Sequence, residues 1–178
     1  MIEQIETERL RIRDVLLSDT DAFHRYMKRE DYWHNLPMQP PTQERVQSLV
    51  EGCLQEQTGN PRTNYFLAAV SKETGEVIGE AILRIASLWH GQAEIGWGVD
   101  GQQTGRGLGT EIGRAMLSFG FDLGLHRLYA QCRVGNIPSL LIMAKLAMTE
   151  EGVVRENVKA RGEWWSSSQW SILHTDRK

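Results

Sequence analysis

Cysteine is nearly missing from this chain: Cys53 and Cys132 are the two in 178 residues. That scarcity excludes a disulfide framework and a paired-cysteine zinc site, and both residues are expected in the core as small apolar side chains. Long apolar runs are missing too, so no segment is expected to span a bilayer. The first residues carry Glu3, Glu6 and Glu8 instead of a basic-then-apolar leader, which predicts a cytoplasmic protein. There is no large excess of one charge. The formal net charge is −3, which supplies no general drive toward nucleic acid or an anionic membrane. His24, His34, His90, His126 and His174 show no close metal-ligand spacing, so no metal is expected. Neither an internal repeat nor a low-complexity segment is present.

What is there reads as a globular protein. Hydrophobic residues make up 40% and charged residues 24%. The length suits one domain over residues 1–178 with a sizeable core. Leu10 and Ile12 alternate with Arg9, Arg11 and Arg13 as a strand. Ser18 with Asp21 suggests a capping box before a helix bearing Ala22, Phe23, Tyr26 and Met27 on one face. The stretch from Asp31 to Pro41 carries Pro37, Pro40 and Pro41 and reads as irregular. Thr42 then suits the N-cap of a helix with Val46, Leu49, Val50, Cys53 and Leu54 at helical spacing.

A meander follows. Tyr65–Val70 and Val77–Ile85 form a hairpin across Lys72–Gly75, with Gly79 marking a bulge, and Gln92–Val99 is the third strand. A helix from Leu108, closed by Gly124, leads to a strand from Arg127 to Val134. Asn136 suits an N-cap and Pro138 a first helical turn. Val153-Val154 suggests a strand, Arg155 to Glu163 a polar loop, and Trp164 to His174 a last strand.

Two stretches carry chemistry. The segment Gly101-Gln102-Gln103-Thr104-Gly105-Arg106-Gly107-Leu108-Gly109-Thr110 joins a strand to a helix start. Glycines there permit positive φ and close approach of a ligand. The helix start offers unpaired N–H groups and a positive dipole end, which together suit a pyrophosphate. The P-loop lysine is absent, and Gly105, Gly107 and Gly109 alternate where the dinucleotide fingerprint needs a different spacing. An ordinary strand-to-helix turn would read the same way. In the preceding strand, Ala93, Ile95, Trp97 and Val99 face the core. Gln92, Glu94, Gly96 and Gly98 line the other face. Two positions without side chains imply close approach by a ligand, or by a neighbouring part of the sheet.

The segment Thr104-Gly105-Arg106-Gly107-Leu108-Gly109 resembles the coenzyme A loop of the GNAT superfamily of N-acetyltransferases, with Thr104 where Gln or Arg is usual. Thr7-Glu8-Arg9-Leu10 with Ile12-Arg13 is similar to the opening of its ribosomal-protein N-terminal branch. So are Ala93-Glu94-Ile95-Gly96-Trp97, and Asn136-x-x-Ser139 followed by Lys145-Leu146-Ala147-Met148. These matches run in family order along roughly the whole chain. The resemblance implies an α/β GNAT fold: a mixed, twisted sheet of about six to seven strands flanked by about four helices, with a splayed central pair of strands.

The resemblance also implies an acetyl-CoA-dependent transfer to a primary amine, with a peptide or protein N-terminus as the favoured acceptor. Expected contacts to the co-substrate are Trp97, Gly98, Val99, Thr104, Gly105, Arg106, Gly107, Leu108, Gly109, Thr110, Asn136 and Ser139. Glu94 is the candidate base, since its strand phase puts it on the ligand side and a carboxylate near the amine takes its proton; Glu80 is the reserve. Met143 stands where many members carry a tyrosine acid, and a thioether donates no proton. Ser139 resembles the serine offered instead. Structural roles for Glu94 and Ser139 are equally open at this level. Acceptor walls are expected from Asp31 to Pro41, and from Arg155 to Glu163 with Trp164 and Trp165. A small-molecule amine such as an antibiotic or polyamine is the alternative acceptor. A silent acyl-CoA-binding module and a nucleotide-binding protein are the rival classes. An edge helix or strand would serve a homodimer.

Overall fold

The alternation of apolar and polar residues becomes a sheet in the computed structural model, which describes residues 2–177. Strands β1 (Ile5–Glu6) and β2 (Leu10–Asp14) begin it. Helices α1 (Thr20–Met27), α2 (Glu30–Trp33) and α3 (Gln43–Glu56) follow. Strands β3 (Asn64–Ser71), β4 (Val77–Ser87) and β5 (Gln92–Val99) make the meander. After the glycine-rich loop come α4 (Leu108–Asp122), β6 (Arg127–Arg133) and α5 (Ile137–Lys145). Strands β7 (Thr149–Ala160) and β8 (Glu163–Leu173) complete one sheet of order β1-β2-β3-β4-β5-β6-β8-β7. Its pairings are antiparallel except that of β5 with β6.

Two helical layers cover the sheet. One core gathers Leu10, Ile12, Leu83, Ile95 and Leu128 from the sheet under Ile112 and Met116 of α4 and Met143 of α5. The other packs Phe23, Tyr26, Val46, Val50 and Cys53 from α1 and α3 on Ala68, Val70 and Val77. Helix α3 starts where Thr42 Oγ1 accepts the Arg45 N–H at 3.3 Å. Its buried residues, Val46, Val50 and Cys53, recur at the spacing of one helical face. Helix α4 presents Gly109 and Gly113 to α5. A Cβ at either would lie 2.8 Å from Ile142 or 2.6 Å from Leu146, so the two helices meet closely there. No helix among the described residues is long and apolar enough to cross a membrane.

Several expectations change. The eight strands and five α-helices of the described residues exceed the expected counts. The stretch from Arg155 to Glu163 is largely strand, in a long β7–β8 hairpin. Nearly all of β7 is exposed at the sheet edge, so burial imposes no apolar alternation on it. The short α2 lies inside the stretch read as irregular. Ser18 and Asp21 form no capping box: α1 begins at Thr20 with Asp19 as its N-cap. The Asp19 carboxylate instead accepts from Arg13 and the Leu16 N–H. The bulge in β4 is present, but its extra residue is Ile78, between the pairs Ala69–Gly79 and Val70–Val77.

Candidate functional site

Strands β5 and β6 run parallel and pair briefly. Gln92, Ala93 and Glu94 lie opposite Arg127, Leu128 and Tyr129. Beyond that point β5 continues to Val99 and β6 to Arg133 without pairing to each other. A wedge therefore opens in the middle of the sheet. Backbone donors and acceptors along it lack a strand partner, and such groups bind an extended polar ligand by strand-like hydrogen bonds.

At the open end of the wedge β5 enters the glycine-rich loop. Asp100 Oδ1 accepts the Gln102 N–H at 3.0 Å, and Thr104 Oγ1 donates to the Gly101 carbonyl at 2.8 Å. Gly105 and Gly107 have φ of 77° and 80°, in the left-handed region that favours glycine. Gly107 is the N-cap of α4, and it has no side chain to occupy the helix's first N–H groups. They stay available to an anion. Leu108, Gly109 and Thr110 are buried in the first turn, while Arg106 is exposed beside it, donating to Gln103 Oε1 at 3.0 Å.

The turn between β1 and β2 holds this loop from behind. Arg9 Nη1 donates to the Arg106 carbonyl at 2.7 Å, and its Nε to Glu111 Oε2 at 2.8 Å. Thr7 Oγ1 and the Arg9 backbone N–H both donate to Glu111 Oε1, at 2.6 and 2.8 Å. Burial alone would raise the Glu111 carboxyl; the bonds from Thr7 and Arg9 outweigh it and hold the group below its ordinary range. Sequence reading found Thr7 and Arg9 but not this task. The partner Glu111 is remote in the chain, and no local pattern links them.

On the wedge-lining strand, Trp97 and Val99 are partly buried and pack toward α4, as expected from their phase. Glu94 faces the other way. It is the last paired residue before the wedge, with 36% of its side chain exposed and Arg84 Nη1 4.0 Å away. The Tyr129 phenol opposite is pushed up, first by burial and then by the Glu94 charge. Asn136 caps α5, its Oδ1 accepting the Ser139 N–H at 3.3 Å. Ser139 is half-buried there, and Met143 one turn on is fully buried. Since α5 packs with α4, Ser139 and Glu94 belong to opposite faces of the sheet, with the wedge between them.

Gly98 owes its missing side chain to the protein itself. A Cβ there would sit 2.0 Å from Glu80 Oε1. Glu80, across from Gly98 on β4, is buried and accepts from the Tyr26 and Tyr32 phenols, each at 2.5 Å. Burial raises its carboxyl despite both donors. The same burial, aided by the Glu80 charge, pushes both phenols up. Sequence reading missed the two tyrosines, which belong to an apolar helix face and a stretch read as irregular. Gly96 differs: a Cβ there would find Ile82 at an ordinary 3.5 Å.

The two expected acceptor walls meet. Arg161, at the β7–β8 turn, donates Nη2 to the His34 carbonyl at 2.7 Å. Its Nη1 lies 3.4 to 3.5 Å from the carbonyls of Trp33, Leu36 and Met38. Its guanidinium stacks 5.2 Å from the Trp33 ring centre. Cys132, partly buried against the first core, has its thiol pushed up to about 11 by burial and does not suit a nucleophile.

Comparison with known proteins agrees with this geometry. The model of the acetyltransferase (GNAT) domain family matches residues 9–149. The uncharacterised N-acetyltransferase p20 of Bacillus licheniformis is 29% identical, with 97% of each chain covered. A GNAT-family acetyltransferase structure from Bacillus anthracis superposes with a TM-score of 0.86 at 26% identity, covering 98% of this chain and 100% of that one. A RimL ribosomal L7/L12 alpha-N-protein acetyltransferase, solved with coenzyme A, shares the fold with a TM-score of 0.83 at 20% identity, covering 96% of this chain and 98% of that one. Wedge, glycine loop and family match converge: the chain belongs to the GNAT acetyltransferase family and is an acyltransferase enzyme.

Proposed function

We propose that residues 1–178 make one catalytic domain that moves an acetyl group from acetyl-CoA to the free α-amine of a peptide or protein N-terminus. The observation that carries this reading is the β5–β6 wedge ending at the uncapped start of α4. In it, the N–H groups from Gly105 to Thr110 take the pyrophosphate, with Arg106 adding charge. The backbone of Trp97, Gly98 and Val99 takes the pantetheine arm, and Asn136 and Ser139 border the thioester end. RimL, an alpha-N-protein acetyltransferase, lends support through its shared fold.

The chemistry favours an α-amine. With a pKa of about 7.7–8.0, roughly one such amine in six to ten is neutral at pH 7, far more than for a lysine side chain. The neutral nitrogen attacks the thioester carbonyl, and the C–S bond breaks. Glu94 takes the nitrogen's proton, directly or through a water. Ser139 donates toward the leaving sulfur, whose low basicity makes a strong acid unnecessary. Glu80 is less suited than Glu94, because Tyr26 and Tyr32 already occupy its oxygens.

A panel of short peptides with free or blocked N-termini, run beside an aminoglycoside and spermidine, tests the acceptor. Free N-termini should react and blocked ones should not. Blocked peptides reacting equally well, or an aminoglycoside outcompeting every peptide, would overturn the N-terminal assignment.

A further inference from the structure

Tyr129, Gln131 and Arg133 share one face of β6, and Tyr129 is the register partner of Glu94. Arg133 thus stands on the same side of the sheet as the candidate base, farther along the wedge. Its register partner on β8 is Ser167, and the same phase carries Trp165. The Arg133 guanidinium stacks 3.9 Å from the centre of the Trp165 ring, and that of Arg161 4.5 Å from it. Among the described residues, neither arginine has a carboxylate within salt-bridge distance.

A second observation points to the same place. Trp165 is only 6% exposed, and its buried Nε1 has no hydrogen-bond acceptor. A buried donor without an acceptor destabilises the fold unless something is gained in return. Arg161 is committed to the carbonyls of the opposite wall, whereas the Arg133 guanidinium has no hydrogen-bond partner among the described residues. The acceptor side of the wedge therefore ends in an unpaired guanidinium, stacked on an indole whose Nε1 lacks an acceptor.

We infer that Arg133, stacked on Trp165, binds a carboxylate of the acceptor, so that the preferred substrate is a peptide with an acidic side chain close behind its free N-terminus. This rests on the α-amine reading above. The spacing sets the position. Arg133 lies four steps along β6 from Tyr129, a distance of ~13 Å. An extended peptide advances 3.3–3.6 Å per residue, so from an amine beside Glu94 it covers that gap in about four residues. The reach of an arginine side chain shortens it, which gives the second to fourth residue. A free amino acid's own carboxylate lies too near its amine to span this gap.

The test compares free-amine peptides that differ only in carrying glutamate, glutamine or lysine at positions two to four. The wild-type enzyme should prefer the glutamate peptide over the glutamine peptide by about tenfold in kcat/KM, the size of one charge-assisted contact. In Arg133→Met that ratio should fall to near one, with turnover of the glutamine peptide retained. Arg133→Lys, which keeps the charge without the stacking, should lie between and guards against a misfolded variant. Equal use of glutamate and glutamine peptides by the wild type, or a preference that survives Arg133→Met, would overturn the inference. If no free-amine peptide reacts, the α-amine reading falls. Calorimetry of the same peptides with coenzyme A present then decides the carboxylate site, which stands only if glutamate binds more tightly and Arg133→Met abolishes the difference.

Discussion

Arg9 and Glu111 are 102 residues apart and meet as an ion pair of 2.6 Å behind the glycine loop. Together with the bond from Arg9 to the Arg106 carbonyl, the pair fixes the start of α4 relative to the first long strand. Glu111→Gln keeps the shape and removes the charge. It should lower stability by about 1 kcal/mol, or about 2–4 °C in Tm for a chain of this size. Affinity for coenzyme A should fall severalfold, because the loop loses its rear support. Calorimetry and a melting curve measure both. An unchanged affinity would show that the loop holds its shape without Arg9.

The two glycines on the other face of β5 should respond differently. Gly98→Ala drives a Cβ into the Glu80 carboxylate, which Tyr26 and Tyr32 hold in place. Such overpacking costs about 1–3 kcal/mol. Gly96→Ala meets only ordinary contacts with Ile82 and should leave the melting temperature nearly unchanged. Equal stability of the two variants would mean that Glu80 moves freely.

Gly107 has φ of 80° at the N-cap of α4. Gly107→Val should weaken acetyl-CoA binding at least tenfold, about 1.4 kcal/mol, because a branched side chain resists this conformation and crowds the approach. A folded variant that binds as tightly as wild type in calorimetry would remove the loop from the binding site.

Glu94→Gln should lower turnover and leave acetyl-CoA affinity nearly intact, since the proposed base acts on the amine. The deficit should shrink as pH rises and more of the amine becomes neutral without help. A pH profile matching wild type throughout would leave Glu94 with a structural role, beside Arg84. The parallel variant Ser139→Ala should cost less, as coenzyme A leaves readily as a thiolate.

Glu151 gives a stability signature in acid. Hydrogen bonds from Arg127 pull its carboxyl down most; burial opposes them, and Gln169 and Ser171 add to the lowering, to about 2. A carboxyl lower in the folded state stabilises the fold above its unfolded value, near 4.5. That contribution disappears as pH falls from there toward about 2. Denaturant midpoints should therefore drop less steeply over this range for Glu151→Gln than for wild type. Parallel curves would show that the Arg127 pair contributes nothing measurable, as many exposed pairs do.

Much of the architecture was legible from residue spacing. Val46, Val50 and Cys53 announce α3, and Leu128 and Ala130 announce β6, because burial on one side forces a period that sequence displays. Strand β7 shows no such period, since water meets nearly every side chain. At the site, the alternating glycines point to the loop, and the phase of β5 correctly separates Glu94 from Trp97. What escaped were contacts between residues distant in the chain: Arg9 with Glu111, Tyr26 and Tyr32 with Glu80, Arg161 with the carbonyls of Trp33 to Met38. Each depends on how layers stack, which a single strand or helix does not encode. Gly98 shows the same limit. Its lack of a side chain reads equally as room for a ligand or for a neighbour, and Glu80 fills the space.

The brevity of the β5–β6 pairing has a mechanical side. Five strands lie to one side of that junction and three to the other, and three residue pairs join them. The sheet is a partly unzipped seam, held directly by those pairs and backed by α4 on β5 and α5 on α4. A molecule bonded to both rims would act as a stitch. Amides from Gly96 to Val99 should then exchange slowly with deuterium when acetyl-CoA is bound and faster without it, and the melting transition should climb with co-substrate concentration. The acetyl donor would thus complete the protein's own sheet each time it binds, and its departure as coenzyme A would open the seam again.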